Sequence, residues 1–370
     1  FLDLGELGLQ SWPEELWELE HLTGLNLGSG WHENGEWRKA ESNFASNYLK
    51  SGKTYWTCLN HLGSLHINGM EWADLNLVSG LVSLRLLDCS FGMLTTLEGL
   101  QECSSLQSLN CRRNHLSTLA GLEGLSSLRS LDCYNNRLTT LEGLKGCVSL
   151  QSLDCRSNRL ATLKGLEECI LLRSLQCSRN QITTLEPLMK FTSLQTLQCS
   201  HNSLSTLEPL AELGLIQELD FYKNHITALN PLARLTSLQS LDCRSNPIQD
   251  LPEALVWHPL RELILFNTRI HAVPAEILSR HETENCLERL RAHFRDLGFG
   301  EVMLPDVKVM VLGNGRTGKT QLCNRLRGLP FEENADSTHG ITVASQEFGA
   351  DTLLRLWDFG GQDIYHCTHA

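Results

Sequence analysis

Apolar residues recur at a fixed interval through most of this 370-residue chain. Leu62, Leu84, Leu106, Leu128, Leu150, Leu172, Leu194, Ile216, Leu238 and Leu260 are spaced by 22 residues without slippage. Each unit reads like LQSLDCRSNRLATLKGLEECIL, which starts at Leu150. Its first three apolar positions alternate with polar ones, which predicts a short strand buried on one face. Asn occupies the ninth position in Asn114, Asn136, Asn158, Asn180, Asn202, Asn224 and Asn246. There it can hydrogen-bond backbone groups left unpaired where the chain turns. Twenty-two residues leave room only for tight helical turns on the return path. One such unit cannot bury its apolar face alone, so the array predicts stacking into a quasi-one-dimensional solenoid.

The unit matches the leucine-rich-repeat pattern LxxLxLxxNxL, with Cys usually in place of the third Leu. The expected fold class is α/β: a solenoid of short 22-residue repeats over residues 1–280, followed by the first part of a P-loop domain. The start is less regular. LTGLNL at 22–27 opens a unit, and residues 28–61 delay the next one. Trp31, Trp37, Phe44, Tyr55 and Trp56 lie in that stretch, which fits either a partner-binding insertion or a repeat that has drifted. On the concave face, Asp88, Asp132, Asp154, Asp220 and Asp242 form one column; Arg112, Tyr134, Arg156, Tyr222, Arg244 and Phe266 form the column two residues on. These columns fit a binding strip for a protein partner or a self-paired, solvated charge ladder. Residues 281–304 read as a helical connector, because Leu287, Leu290, Phe294 and Leu297 make one stripe of an amphipathic helix. That stripe suits a plain solenoid cap or a cap that also docks the next domain.

Charge and cysteine usage narrow the class. The net charge of −12 argues against nucleic acid as the main partner, since neutralising phosphates needs a basic surface. No apolar run is long enough for a transmembrane helix. Seven of the 14 cysteines (Cys89, Cys111, Cys133, Cys155, Cys177, Cys199, Cys243) share one repeat position, and Cys103, Cys147 and Cys169 share another. Repeat-locked Cys acts as a small apolar core residue, so a reduced, cytoplasmic protein is expected. The chain lacks an initiator Met and begins inside a repeat, so truncation at both ends is expected.

A different pattern starts near residue 305. Val307, Val309 and Val311 alternate in a short strand, followed by GNGRTGKT at 313–320, a complete GxxxxGK[ST] loop. Gly313, Asn314, Gly315, Arg316, Thr317 and Gly318 would wrap phosphates with backbone N–H groups, at the positive end of a helix that includes Gln321. Lys319 would reach the β- and γ-phosphates, and Thr320 would offer its hydroxyl to Mg²⁺. Thr338 in STHGI suits a switch threonine that completes the Mg²⁺ shell. LLRLWDFGGQ is an apolar strand that ends with Asp358 placed for Mg²⁺, Gly361 for the γ-phosphate and Gln362 for the attacking water. His366, Cys367 and His369 lack a carboxylate or second Cys to complete a metal set, so they read as packing or surface.

In the order GNGRTGKT, STHGI and WDFGGQDIYHCTH, directly after repeats, the chain resembles the Roco family of large GTPases. The resemblance implies a Ras-like Roc domain over 305–370, incomplete here, with a guanine-reading motif and a COR dimerisation domain beyond Ala370. It implies GTP/GDP and Mg²⁺ as cofactors, slow hydrolysis and homodimerisation through a later region, with the fragment alone inactive. Some family members carry a kinase domain, and no kinase signature is readable here. Two other readings stay open. One is an ATP-driven signalling NTPase, although such proteins usually place the NTPase before the repeats. The other is a repeat scaffold with a degenerate nucleotide site, against which intact Lys319, Thr320, Asp358 and Gln362 count.

Overall fold

A computed structural model describes residues 1–33, 36–39, 56–298, 306–312, 318–331, 341–348 and 352–359. The chain divides into two units, Phe1–Arg295 and Asp296–Ala370.

The first unit is a solenoid built on one twelve-stranded sheet. Its strands are short, such as Ser130–Asp132, Ser152–Asp154 and Ser174–Gln176, and all pair in parallel. The 22-residue spacing becomes sheet register: Leu109 pairs with Leu131, Leu131 with Leu153, and Leu241 with Leu263. These leucines are buried, and each fully buried one contributes about 1.5–3 kcal/mol relative to exposure. The return path uses turns and short 3₁₀ segments such as Glu142–Leu144, Glu186–Leu188 and Glu208–Leu210. Pro187 and Pro209 sit in the first turn, where a missing N–H costs nothing.

The ninth-position asparagines hold one repeat to the next. Asn158 Nδ2 donates to the carbonyls of Cys133 and Cys155, each at 3.1 Å, while its Oδ1 accepts the Leu138 N–H at 3.0 Å. Asn114, Asn136, Asn180, Asn202, Asn224 and Asn246 repeat this geometry. Just before each Asn, a residue adopts positive φ: Arg113, Asn135, Ser157, Arg179, His201, Lys223 and Ser245, between 50° and 57°. L-residues resist that conformation. The neighbouring repeat fixes it, since the Asn135 N–H donates to Arg156 O at 2.9 Å and the Ser157 N–H to Ser178 O at 2.9 Å.

The repeat-locked cysteines are buried, with no disulfide among the described residues. Burial pushes the thiols up, to about 11 for Cys103 and Cys147 and about 12 for Cys169. They behave as small apolar residues.

Gly24–Asn26 pairs directly with Ser64–His66, Leu25 opposite Leu65. The described residues of 28–61 therefore add no strand between these two in the sheet. The stretch lacks the LxxLxL alternation that a stacking strand needs. Its described part includes an antiparallel hairpin, Gly30–Glu33 with Glu36–Lys39.

At the far end, the edge strand Glu262–Ile264 is sealed by side chains. Asn285 accepts the Leu263 N–H and donates to Arg261 O, and the Cys286 N–H donates to Leu263 O. The helix Leu287–Gly298 follows, with Leu287 and Leu290 buried and Phe294 half-buried against the core. Leu297, the last member of the expected stripe, is exposed. Arg291 donates to the carbonyls of Val256, His258 and Leu260, and Arg289 to those of Ile277 and Leu278. This helix therefore caps the solenoid by satisfying backbone acceptors as well as by apolar burial. Among the described residues no helix is long and apolar enough to cross a membrane.

Candidate nucleotide site

The second unit contains a three-stranded sheet in the order Asp306–Val311, Thr352–Phe359, Ile341–Phe348. The outer pairings differ in sense: Asp306–Val311 runs parallel to the central strand, and Ile341–Phe348 runs antiparallel to it. The alternating apolar residues of the central strand place Leu356 and Asp358 on one buried face, at 1% and 4% exposure. Register sets Val311 and Thr342 beside Asp358. On the other face Lys308 Nζ lies 4.0 Å from the Trp357 ring centroid, a cation–π contact across adjacent strands.

The helix Lys319–Leu326 follows Gly318, whose φ of 81° places the chain in the left-handed region. Glycine adopts that turn without a Cβ penalty. Gly328, at φ 73°, ends the helix, and the Leu329 N–H bonds back to Asn324 O. Cys323 packs inward from the same helix; burial, with Asp358 adding to it, raises its thiol. Lys319 is itself buried.

The helix and central strand bring together two side chains 38 residues apart. Thr320 Oγ1 donates to Asp358 Oδ2 at 2.5 Å. Both are hard oxygen donors on rigid elements, at the ends that face one another. That donor chemistry fits Mg²⁺. Among the described residues no group of three or more His, Cys, Asp or Glu could hold a metal ion.

Of the sequence-predicted site, Gly318, Lys319, Thr320, Gln321 and Asp358 are therefore described. Gly318 caps the helix, Lys319–Gln321 open it, and Asp358 closes on Thr320. Gly313, Asn314, Gly315, Arg316, Thr317, Thr338, Gly361 and Gln362 lie outside the described residues, as do His366, Cys367 and His369.

Comparison with known proteins fits this geometry. Residues 308–370 match the family described as "Ras of Complex, Roc, domain of DAPkinase". Residues 126–168, 170–212 and 216–255 match leucine-rich repeats. Leucine-rich repeats are thus followed by a Roc-domain match, the order on which the resemblance to the Roco family rests. Among relatives, the probable serine/threonine-protein kinase pats1 of Dictyostelium discoideum is 30% identical over 134 residues, 30% of this chain. The Ras-related protein Rab-28 of Caenorhabditis elegans is 32% identical over 62 residues, 16% of this chain. These matches span 4% and 25% of the two relatives' own lengths. In solved structures, an internalin (inlF) of Listeria monocytogenes is 25% identical, with a TM-score of 0.60 over 68% of this chain and 69% of that one. A leucine-rich-repeat protein of Leptospira interrogans is 21% identical, with a TM-score of 0.56 over 88% of this chain and 93% of that one. The latter likeness concerns the fold alone.

Sequence reasoning missed a feature of the concave face. The Asp-x-(Arg/Tyr) columns are interrupted at two consecutive repeats by Gln176-x-Ser178 and Gln198-x-Ser200. A cavity of about 480 Å³ lies there. The signal was present as a register-locked change of side-chain size.

Proposed function

We propose that this chain is the repeat and nucleotide-binding part of a GTP-dependent signalling switch. The observation that carries the reading is the Thr320 hydroxyl seated on the Asp358 carboxylate, beside a glycine-capped helix that follows the GNGRTGKT loop. In this reading the loop N–H groups and Lys319 hold the phosphates, and the helix N-terminus adds its positive field. Thr320, Thr338 and Asp358 hold Mg²⁺ directly or through water. When bound, the ion neutralises charge on the β- and γ-phosphates. Gln362 orients the attacking water, and Gly361 reports the γ-phosphate to the segment that follows. Hydrolysis is slow, which suits a switch more than a metabolic enzyme. The repeats form the platform for a protein partner, and homodimerisation involves a further region of the full-length protein. The cytoplasm is the fitting compartment for a protein with so many buried thiols.

The test is a titration of the full-length protein with fluorescent GDP, with GTP and ATP as competitors in Mg²⁺. Guanine nucleotides should compete at micromolar or lower concentration and ATP should not, and Lys319→Ala should abolish binding. ATP preference would favour an ATP-driven NTPase, and absence of binding a scaffold with a degenerate site.

A further inference from the structure

The cavity on the concave face has a definite construction. Two consecutive repeats carry Ser178 and Ser200 where their neighbours carry Arg156 and Tyr222. Ser178 and Ser200 are 7% and 8% exposed and hydrogen-bonded to each other at 2.9 Å, so they form a tight polar floor. With strands about 4.8 Å apart, the flanking side chains Arg156 and Tyr222 arise from strands roughly 14 Å apart, and the cavity extends from Asp220 past Arg156 to Tyr134, Asp132 and Arg112.

The charges along and beside the cavity are not all matched; Arg112 and Asp132, at its far end, pair with each other at 4.0 Å. Within the lining Arg156 closes on Asp154 at 2.6 Å and covers the Tyr134 ring. Beyond Asp220, outside the lining, Arg244 closes on Asp242 at 2.7 Å and lies 4.7 Å from the Tyr222 ring centroid. Asp220 borders the cavity and has no ion-pair partner among the described residues. It is held by the Tyr222 N–H at 2.9 Å. Arg179 on the rim is exposed and also makes no ion pair among them. A visiting charge gains more from a fixed, half-buried carboxylate than from a mobile, hydrated guanidinium.

We propose that this cavity receives a lysine or arginine side chain from a protein segment lying across the strands, its cation against Asp220 and its stem over Ser178 and Ser200. The assignment rests on the reading of the repeats as a partner platform, and gives that partner its chemistry. Arg179 then selects against a second positive charge at the rim.

Fluorescein-labelled heptapeptides of glycine with a central Arg, Lys, Glu or Ala, titrated into the full-length protein, test it directly. The Arg and Lys peptides should bind about tenfold or more tightly than the Glu and Ala peptides. Asp220→Asn should remove that preference, and Arg179→Ala should leave it unchanged or stronger. Thermal melts and GDP binding of each variant verify that the fold and the nucleotide site are intact. Preference for the Glu peptide, weakened by Arg179→Ala, would overturn the proposal in favour of an anionic partner. So would Arg binding that is indifferent to Asp220→Asn. A selection from a random heptapeptide library separates the two levels of the argument. Binders without Lys or Arg that are blocked by Ser200→Phe would refute the cation assignment and keep the platform; no binder at all would refute both.

Discussion

Single residues in this solenoid are constrained by the repeat before them. Gly99 has a φ of 104°, and a Cβ there would stand 2.5 Å from Leu75 O. Gly99→Ala should lower stability by about 1–3 kcal/mol, read as a lower denaturation midpoint, since both the backbone conformation and the stacking distance reject the methyl. Asp220 illustrates the opposite tendency. Burial raises its carboxyl, and Asp242 adds to this against the bond from Tyr222 N–H. A folded-state pKa above the unfolded one means that ionisation opposes folding once pH exceeds the usual carboxylate value. Asp220→Asn should therefore melt higher than wild type at pH 7, with the difference shrinking as pH falls through the raised folded-state value and gone below about 4. A residue that costs stability at neutral pH while lining a cavity is a candidate for function. The concave columns also divide at this scale. Arg156 and Arg244 are absorbed into ion pairs with their own repeats, and the interruption between them leaves Asp220 bordering the cavity.

At the scale of elements, the solenoid must end its sheet without leaving strand edges open to pairing. The C-terminal edge is closed by Asn285, Cys286 and the arginines of the capping helix. Glu284 organises this cap, bonded to the Arg289 guanidinium and to the Arg280 N–H, and these hold its carboxyl down at about 2 from the usual 4.5. Here the folded pKa lies below the unfolded one. The stabilisation is complete above about pH 4.5 and is lost as pH falls toward 2. Glu284→Gln should remove that part of the acid sensitivity, measured as a smaller difference in melting temperature between pH 6 and pH 3. Arg291→Ala strips donors from three carbonyls of the preceding turn. It should lower stability by about 1–3 kcal/mol, with hydrogen exchange rising first around 253–265. The stripe Leu287, Leu290, Phe294, Leu297 was legible in the sequence, but it carried no sign that arginine–carbonyl bonds share the capping.

Across the whole molecule, a repeat array has an even core, and its thiols report on that evenness. Of the cysteines in the described residues, Cys58 is exposed and the other twelve are buried. Brief treatment of the native protein with a maleimide, followed by peptide mapping, should label Cys58 and spare Cys89, Cys111, Cys133, Cys155, Cys177, Cys199 and Cys243. The spared set should react together on unfolding. Labelling confined to a few of them at low denaturant would instead reveal independent opening of one end of the array.

The sequence by itself determined the solenoid. A strict period fixes which residues face inward, and because stacking is nearest-neighbour, that local rule propagates into sheet register without long-range information. It also placed Thr320 at the start of a helix and Asp358 near the end of a strand, the two side chains that the structure joins by a hydrogen bond. What the tertiary structure decided were the contacts between repeats and across elements: the direct pairing of Leu25 with Leu65, the backbone-sealing role of Arg289 and Arg291, and the cavity bordered by Ser178 and Ser200. These depend on which side chains meet when strands about 4.8 Å apart are stacked. A column of letters shows that two large residues have become small, and only the packed sheet shows that nothing else fills the space.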